Sequence, residues 1–186
     1  MPRPARYSVD QLLDAAAKLL AGDGPGAVTM SAVARATGAP SGSLYHRFPT
    51  RAALCGELWA RTEERFQDGF TAALTRSDDP HAQCVDAALF IVQWCRDHPD
   101  EAQVLLAGPD ALDSARWPDP LVARHRQRGR RLRRLLAAVP ADTDRVSAAV
   151  TDIPYAVVRR HLLARRSIPA SADAIVTDCA RALLRN

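Results

Sequence analysis

The sequence repeats its apolar residues every three to four positions over most of its length, and this periodicity constrains the fold more than any other feature. The first stripe runs from Leu12 to Leu20 and follows Ser8, a residue type that caps helices. No stretch alternates strictly between apolar and polar residues with hairpin turns at its ends, as half-buried strands do. The pattern therefore predicts an all-α protein.

Glycine, proline and short polar residues divide the chain into about nine predicted helices. Thr29 and Thr50 are suited to cap the second and the fourth of them. The segment His81 to His98 is apolar around most of its circumference, which is typical of a helix inside a bundle. The predicted helices follow Ser8 and then cover residues 30–36, 41–48, 51–76, 81–98, 100–107, 121–138, 142–166 and 171–185.

Length and composition exclude several classes of protein. The chain has 186 residues, 47% of them hydrophobic and 25% charged, so neither a disordered nor a fibrous protein fits. Its apolar runs are much shorter than the roughly 18 residues of a membrane span. The basic start, residues 1–6, is not followed by the apolar segment of a secretory signal. We therefore expect a cytoplasmic protein with no membrane partner.

Positive charge is concentrated near the N-terminus. The formal net charge is +4, and residues 1–51 alone contain six basic and three acidic side chains. The rest of the chain is nearly balanced. This distribution favours a polyanion as the partner of the first quarter of the chain.

The cysteine and histidine residues do not have the spacing of a metal site. The four cysteines form no Cys-x-x-Cys pair. His81 with Cys84, and Cys95 with His98, form two pairs that would lie about 21 Å apart along one helix, too far for a single zinc ion. No nucleophile is paired with a base either. The sequence therefore predicts no metal, no cofactor and no catalytic residue.

Residues 29–48 have the residue types of a helix-turn-helix. Two short helices that cross closely need a small residue at the contact, a turn residue that accepts positive φ, and an apolar anchor in the second helix. Ala34, Gly38 and Leu44 fill these places, with Met30, Val33 and Phe48 as the core beneath. The second helix then directs small hydroxyls, an aromatic ring and cations outward, where they can meet DNA bases and phosphates. These outward residues are Ser41, Gly42, Ser43, Tyr45, His46 and Arg47.

This stretch resembles the DNA-binding signature of the tetracycline-repressor (TetR/AcrR) family. The shared pattern is Gly-x-x-x-Gly-x-Leu-Tyr-x-x-Phe from Gly38 to Phe48, followed three positions on by a basic residue, Arg51. The resemblance covers about residues 8–56. Family members are bacterial regulators with a DNA-binding head of three helices and a helical domain that dimerises and binds a small effector. The resemblance implies such a helix-turn-helix head in residues 1–50 and a larger helical bundle in residues 51–186.

The resemblance also implies roles for single residues. Thr29 would cap its helix beside a phosphate, and Arg51, where the family usually has lysine, would clamp another phosphate. The major groove would be contacted by Ser41, Ser43, Tyr45 and His46. Two residues depart from the family pattern: Pro40 replaces a capping Ser or Thr, and Arg47 replaces a His, so the contact that Arg47 makes stays open. Alternatively, Ser41 and Ser43 could serve only as caps and His46 as a surface residue. Tyr45 could instead pack against the first helix.

His125 and Gly129 occupy apolar positions on the stripe of the helix at 121–138. Glycine inside a helix costs about 1 kcal/mol relative to alanine, so it either permits a close helix crossing or leaves space for a ligand. The second alternative gives the hypothesis of an apolar effector pocket with one polar group. Its residues would be Phe90, Trp94, Trp117, His125, Gly129 and Tyr155.

Seven arginines lie between Arg124 and Arg134 on the same predicted helix. They suggest either a second nucleic-acid patch or a solvated face that pairs with acidic residues. The family architecture, which places this helix far from DNA, favours the second alternative.

The last two predicted helices carry apolar stripes that suit a four-helix bundle shared with a second copy. Two-fold symmetry would then require a near-palindromic operator in double-stranded DNA. The favoured hypothesis is a homodimeric repressor released by a small-molecule effector. The same regulator without an effector site, controlled by a protein partner or by concentration, is one alternative, and a helical enzyme is a disfavoured one. The predicted dimer contacts are Val146, Val150, Ile153, Val157, Ile175, Val176, Cys179 and Leu183.

Overall fold

The computed structural model describes residues 7–185, and the regular structure in this range is entirely helical. The order of predicted helices is confirmed, whereas Arg3 and Arg6, counted in the N-terminal charge, lie outside the described residues. None of the helices in this range is long and apolar enough to cross a membrane. The helices are α1 Val9–Asp23, α2 Met30–Thr37, α3 Ser41–Arg47, α4 Arg51–Leu74, α5 Pro80–Asp97, α6 Pro99–Ala107, α7 Asp119–Ala137, α8, which comprises Thr143–Ser147, Ala148–Asp152 and Ile153–Leu163, and α9 Ser171–Leu184.

The helix α8 contains a π-helical stretch, Ala148–Asp152, which ends two residues before Pro154. Pro154 has no amide hydrogen, so the carbonyl of Val150 cannot receive the usual bond from four residues on. A wider π turn accommodates the missing donor without ending the helix. The prediction of one helix across this proline is therefore confirmed.

Local chemistry explains where three of the N-terminal helices begin. The hydroxyl of Ser8 accepts the backbone N–H of Gln11, and the Gln11 side chain accepts the backbone N–H of Ser8, which forms a capping box. Thr29 and Thr50 each accept the N–H of the residue three positions on, at 3.1 Å. All three predicted caps are confirmed.

The chain divides into two compact units. The first runs to Thr62 and includes Gln103–His125, and the second comprises Glu63–Ala102 and continues from Arg126. The helices α4, α6 and α7 each contribute residues to both units. The division at residue 50 into a head and a larger body stays a prediction.

The core of the first unit lies beneath α1 to α4. Leu12, Val33, Leu44, Leu54 and Leu58 have no exposed surface. Each fully buried side chain of this size contributes about 1.5–3 kcal/mol relative to an exposed one. These residues lie at helical spacing in four different helices, so their burial fixes how the short helices α2 and α3 sit against α1 and α4.

In the second unit, α8 and α9 pack against α5. Cys84, Ala87, Ala88 and Val92 have no exposed surface, which agrees with the apolar circumference predicted for this segment. At the end of α5, Arg96 donates to the carbonyl oxygen of Ile168 at 3.2 Å and pairs with Asp173 at 3.0 Å. These bonds connect α5 to the start of α9.

Three of the four cysteines are buried, as expected of small apolar residues. Burial raises the pKa of the Cys55 thiol to about 11 and that of the Cys95 thiol to about 12. Burial also raises the pKa of Cys84. These thiols therefore stay protonated in the folded protein at pH values where an unfolded chain loses the proton.

The raised pKa values of Cys55 and Cys95 predict a specific loss of stability at alkaline pH. Below about pH 9 both thiols are protonated in the folded and the unfolded state, so their contribution is constant. Above pH 9 only the unfolded state releases protons, so the free energy of unfolding falls until the folded pKa values are passed. Urea unfolding between pH 8 and about pH 11 should show a shallower fall for the Cys55→Ala, Cys95→Ala double variant than for the unmodified chain. Equal slopes would contradict the prediction.

Candidate nucleic-acid interface

The helices α2 and α3 and the turn between them form the predicted helix-turn-helix. Gly38 has φ of 70°, in the left-handed region, and its N–H donates to the carbonyl oxygen of Ala34 to end α2. A side chain at this φ would cost about 1–2 kcal/mol, which glycine avoids. The Tyr7 hydroxyl donates to the Gly38 carbonyl oxygen at 2.8 Å and so ties the turn to the residues before α1.

The helix α3 buries one side and exposes the other. Leu44 has no exposed surface and Phe48, which follows α3, is 2% exposed, so both anchor the helix as predicted. Tyr45 is 55% exposed. Arg47 is half-buried and its Nη1 donates to the Ser43 hydroxyl at 3.1 Å. The other exposed predicted residues of α3 are Ser41, Gly42 and His46.

The start of α2 presents hydroxyl groups beside the first backbone N–H groups of the helix. This arrangement binds phosphate in many proteins. Thr29 is half-buried, and its Oγ1 lies 3.3 Å from the Oγ of Ser31. Ser31 and Arg35 are exposed on this helix and were not among the residues predicted from the sequence. Their spacing of four residues, which places them on one helix face, is the signal that could have found them.

Two acidic side chains of α1 form ion pairs with one arginine, which compensates one of their two charges. Arg61 Nη1 lies 2.8 Å from an Asp14 oxygen and 3.2 Å from an Asp10 oxygen. Both carboxylates belong to the three acidic groups of residues 1–51. The ion pairs reduce the repulsion that these carboxylates would exert on a polyanion.

Arg51, at the start of α4, is surrounded by acceptors from the protein itself. Its Nε donates to the carbonyl oxygen of Val28 at 2.8 Å, and its Nη2 donates to that of Pro25 at 2.7 Å. Its Nη1 forms an ion pair with Asp113. The side chain is 31% exposed. A direct contact between Arg51 and phosphate stays a prediction.

Two of the predicted effector residues, Trp117 and His125, lie together in the first unit. They are joined by Trp59, whose Nε1 donates to His125 Nδ1 at 3.3 Å and whose ring centre lies 6.3 Å from that of Trp117. Trp117 Nε1 donates to the carbonyl oxygen of Leu112 at 2.8 Å. Sequence reasoning missed Trp59, because the pattern of α4 marks it only as apolar.

Phe90 and Trp94 lie in the second unit, in an aromatic cluster with Phe66 and Phe70. The ring centre of Phe66 lies 5.0 Å from that of Trp94 and 5.7 Å from that of Phe90, and Phe70 and Phe90 are 6.4 Å apart. Phe90 covers the backbone of Gly69, where an added Cβ would lie 2.5 Å from its ring. The four-residue spacing of Phe66 and Phe70 is a signal that sequence reasoning did not use.

Gly129 and Tyr155, the other two residues predicted to line a pocket, are both in the second unit. Outside the backbone of its own helix and its chain neighbours, only Arg133 Nη1 among the described residues lies within 4 Å of a Cβ added at Gly129. A close helix crossing therefore does not explain this glycine. Tyr155 is 45% exposed.

The arginine run of α7 is divided between paired and exposed side chains. Arg124 pairs with Glu57 at 3.3 Å, and Arg128 pairs with Glu64 and, at 3.2 Å, with Asp68. The predicted pairing with acidic residues is confirmed for these two. Arg124 is itself exposed, and the other exposed members of the run are Arg126, Arg130, Arg131, Arg133 and Arg134.

The residues predicted as dimer contacts differ in exposure. Val146, Val150 and Val176 have no exposed surface within the chain. Ile175 is 39% exposed. The half-buried members are Ile153, Val157, Cys179 and Leu183.

In the described residues, no three His, Cys, Asp or Glu side chains are grouped so that they could hold a metal ion. The helix α5 runs unbroken through His81, Cys84 and Cys95, and His98 directly follows its last residue. The two His and Cys pairs therefore lie at separate places along the segment.

Residues 12–58 match the family described as bacterial regulatory proteins, tetR family. The N-terminal part of the chain is therefore similar to this family. The match spans α1 to α3 and the first part of α4, which are the elements that form the helix-turn-helix and its support. No curated protein matches the sequence significantly.

Solved structures share the fold of this chain along nearly its whole length. The fatty acid degradation regulator FadR of Bacillus halodurans is 17% identical, with a TM-score of 0.73 over 98% of this chain and 97% of that one. FadR of Bacillus subtilis, in complex with stearoyl-CoA, is 12% identical, with a TM-score of 0.73 over 95% of this chain and 98% of that one. A TetR-like regulator of Rhodococcus sp. RHA1 is 21% identical, with a TM-score of 0.69 over 97% and 96%.

Gly56 allows Trp117 and Leu121 to approach the backbone of α4. A Cβ added at Gly56 would lie 2.7 Å from Leu121 Cδ1 and 3.1 Å from Trp117 Cγ. Even a methyl group would therefore displace both side chains. The glycine therefore allows the ring of Trp117 to pack closely against α4.

Two glycine-to-alanine substitutions test this packing, because both remove a glycine from a helix interior. Alanine at Gly56 should lower the free energy of unfolding by about 1–2 kcal/mol, since overpacking outweighs the better helix propensity. The Gly129→Ala control, where the added methyl group makes only an ordinary contact of 3.5 Å with Arg133 Nη1, should raise it by about 0.5–1 kcal/mol. Urea unfolding measures both values. Equal stability of the two variants would show that the contact at Gly56 is not tight.

Proposed function

We propose that this protein is a homodimeric transcriptional repressor that binds a near-palindromic operator through α2 and α3 and is released by a small molecule with an apolar part. The observation that carries the proposal is the exposed face of α3, which lies opposite the buried Leu44 and carries Tyr45 and His46. A helix held in this way can enter the major groove with its polar face towards the bases.

The proposed DNA contacts follow from the chemistry of each exposed group. Thr29 at the start of α2 would lie beside a phosphate, where backbone N–H groups and the helix dipole favour an anion. Gly42 has no side chain and would let α3 approach the bases closely. The proposed groove contacts are Ser41, Gly42, Ser43, Tyr45, His46 and Arg47. The bond between Arg47 and Ser43 would hold the guanidinium along the helix, in reach of a phosphate or a guanine.

The proposed dimer uses the exposed apolar side chains of α8 and α9. The large apolar side chains of Tyr155, Leu163 and Ile175 are 45%, 56% and 39% exposed. The half-buried predicted contacts, Ile153, Val157, Cys179 and Leu183, would widen this surface. Val146, Val150 and Val176 would support it from beneath. A two-fold dimer would place its two α3 helices about one turn of DNA apart, or a multiple of it.

The proposed effector site is the aromatic cluster of the second unit, Phe66, Phe70, Phe90 and Trp94. Such a cluster offers the apolar contacts that small-molecule sites use. The B. subtilis FadR structure of the same fold holds stearoyl-CoA, which makes an acyl-CoA the first probe to use. A wider pocket that includes Trp117, His125, Gly129 and Tyr155 stays a prediction. Effector binding would lower operator affinity through a coupling free energy of about 1–3 kcal/mol.

Selection of genomic fragments tests operator binding and effector response together. The purified protein should enrich fragments that share a near-palindromic sequence, and stearoyl-CoA should reduce their retention by about 5–150-fold. Enrichment that stearoyl-CoA does not change would favour the alternative regulator without an acyl-CoA site. Absence of any shared sequence would contradict the proposed operator.

The oligomeric mass tests the proposed dimer surface. Light scattering after size exclusion should give twice the chain mass for the unmodified protein. Ile175→Asp should give the single-chain mass, because it places a charge in the apolar interface. The control is Val9→Asp, which introduces the same change at a 45% exposed valine of α1 and should leave the dimer intact. A dimeric Ile175→Asp protein would exclude this surface.

A further inference from the structure

We propose that Arg51 is a positioning residue for operator binding, which ties the turn before α2 to Asp113 and does not itself contact DNA. This inference rests on the proposed operator binding by α2 and α3. It departs from the phosphate clamp that the sequence motif suggests for a basic residue at this place. The bonds of the guanidinium group and the surroundings of Asp113 both support it.

The guanidinium group uses three different nitrogen atoms for three protein acceptors. Nε and Nη2 donate to the carbonyl oxygens of Val28 and Pro25, at 2.8 and 2.7 Å, while Nη1 pairs with Asp113. Only arginine has a planar fork whose donors point in these separate directions. A lysine at this position would have one ammonium group and could not occupy all three places.

The two carbonyl groups belong to the segment that sets the start of α2. Pro25–Ala27 is a 3-10 turn, and Val28 is buried with no exposed surface. Thr29, the next residue, caps α2 and accepts the N–H of Ala32. By holding the carbonyl groups of Pro25 and Val28, Arg51 fixes the direction in which the chain enters α2. The proposed phosphate contact at Thr29 depends on that direction.

The third acceptor is itself held in a defined place. Asp113 has φ of 61°, a left-handed conformation that is uncommon for residues other than glycine, and it lies between the turns Asp110–Leu112 and Ser114–Arg116. Trp117, directly after the second turn, donates to the carbonyl oxygen of Leu112 and packs on Gly56. Asp113 is thus an anchored carboxylate, and its charge compensates that of Arg51.

The two roles of Arg51 predict opposite effects when Asp113 loses its charge. If Arg51 positions α2, Asp113→Asn weakens one of its three attachments and lowers operator affinity. If Arg51 clamps a phosphate, the same substitution frees a cation for DNA and raises affinity. Substitution of Arg51 by lysine separates the roles as well, because a point charge can replace a clamp but not a three-way fork.

The experiment measures affinity for a duplex that the unmodified protein has enriched from the genome, at several salt concentrations. Arg51→Lys and Asp113→Asn should each lower affinity by about tenfold, the effect of losing a charge-assisted hydrogen bond. The slope of log affinity against log salt should stay at its unmodified value, since no phosphate contact is lost. The double variant Arg51→Gln, Asp113→Asn should bind no more weakly than Arg51→Gln alone. The reason is that each substitution removes the same ion pair.

Asp110→Asn is the matched control. It removes the same charge three residues away, where the carboxylate of Asp110 accepts the Ser114 hydroxyl at 2.7 Å, and should leave affinity unchanged. Circular dichroism and urea unfolding check that each variant is folded. Asp113→Asn preserves the shape of the side chain, so its effect decides the question if an Arg51 variant does not fold.

Three results would overturn the proposal: normal affinity of Arg51→Lys, tighter binding by Asp113→Asn, or a salt slope reduced by about 0.9 in Arg51→Gln, as loss of a phosphate contact requires. Each of these requires an unmodified protein that enriches an operator, so it contradicts only the role of Arg51. If the unmodified protein enriches no operator, the proposed function fails, and the role of Arg51 fails with it.

Discussion

Burial of Leu44 is the interaction on which the exposed face of α3 depends. A helix of seven residues, the length of α3, is not stable by itself in water, because helix nucleation is unfavourable and few bonds follow it. The helix α3 therefore depends on the packing of its buried side chain, Leu44, for its stability. With Leu44 fully enclosed, helical geometry alone requires Tyr45 and His46 to face away from the core. The exposed face is thus a consequence of the anchor, and the left-handed turn at Gly38 sets the angle at which α3 leaves α2.

The helix α4 uses glycine twice to bring aromatic rings onto its backbone. Gly56 accepts Trp117 in the first unit, and Gly69 accepts Phe90 in the second. Each glycine costs about 1 kcal/mol of helix propensity, and burial of a large ring offsets this cost. Each of these aromatic rings is therefore held by a backbone contact that any side chain would prevent. This explains why the glycines persist in a helix of 24 residues that would otherwise favour alanine.

Local order was predictable from the sequence, whereas most contacts around the candidate sites were not. Helix ends follow from Ser8, Thr29 and Thr50, because a cap acts on residues within one turn. By contrast, Arg51 and Asp113 are 62 residues apart in the sequence, and no local pattern connects them. Periodicity also cannot tell a stripe buried inside the chain from one that faces a second copy. Val146, Val150 and Val176 read as possible interface, yet the chain itself covers them completely.

The charge of the N-terminal quarter illustrates why a count of residues is a coarse guide to a binding surface. Arg51 contributes to the positive excess of residues 1–51, but its ion pair with Asp113 places a compensating charge from outside that stretch beside it. Asp10 and Asp14 lower the counted excess of positive charge. Arg61, which also lies outside residues 1–51, compensates one of these two negative charges. Asp113 adds a negative charge and Arg61 adds a positive one, so the net excess stays the same while its position changes. Positive charge available to a polyanion then rests on exposed or half-buried groups such as Arg35 and Arg47, which lie on the two helices of the helix-turn-helix itself. From the sequence, a basic residue at the end of a motif shows only that a positive charge is present. The direction in which its side chain points depends on the acceptors that the fold places near it.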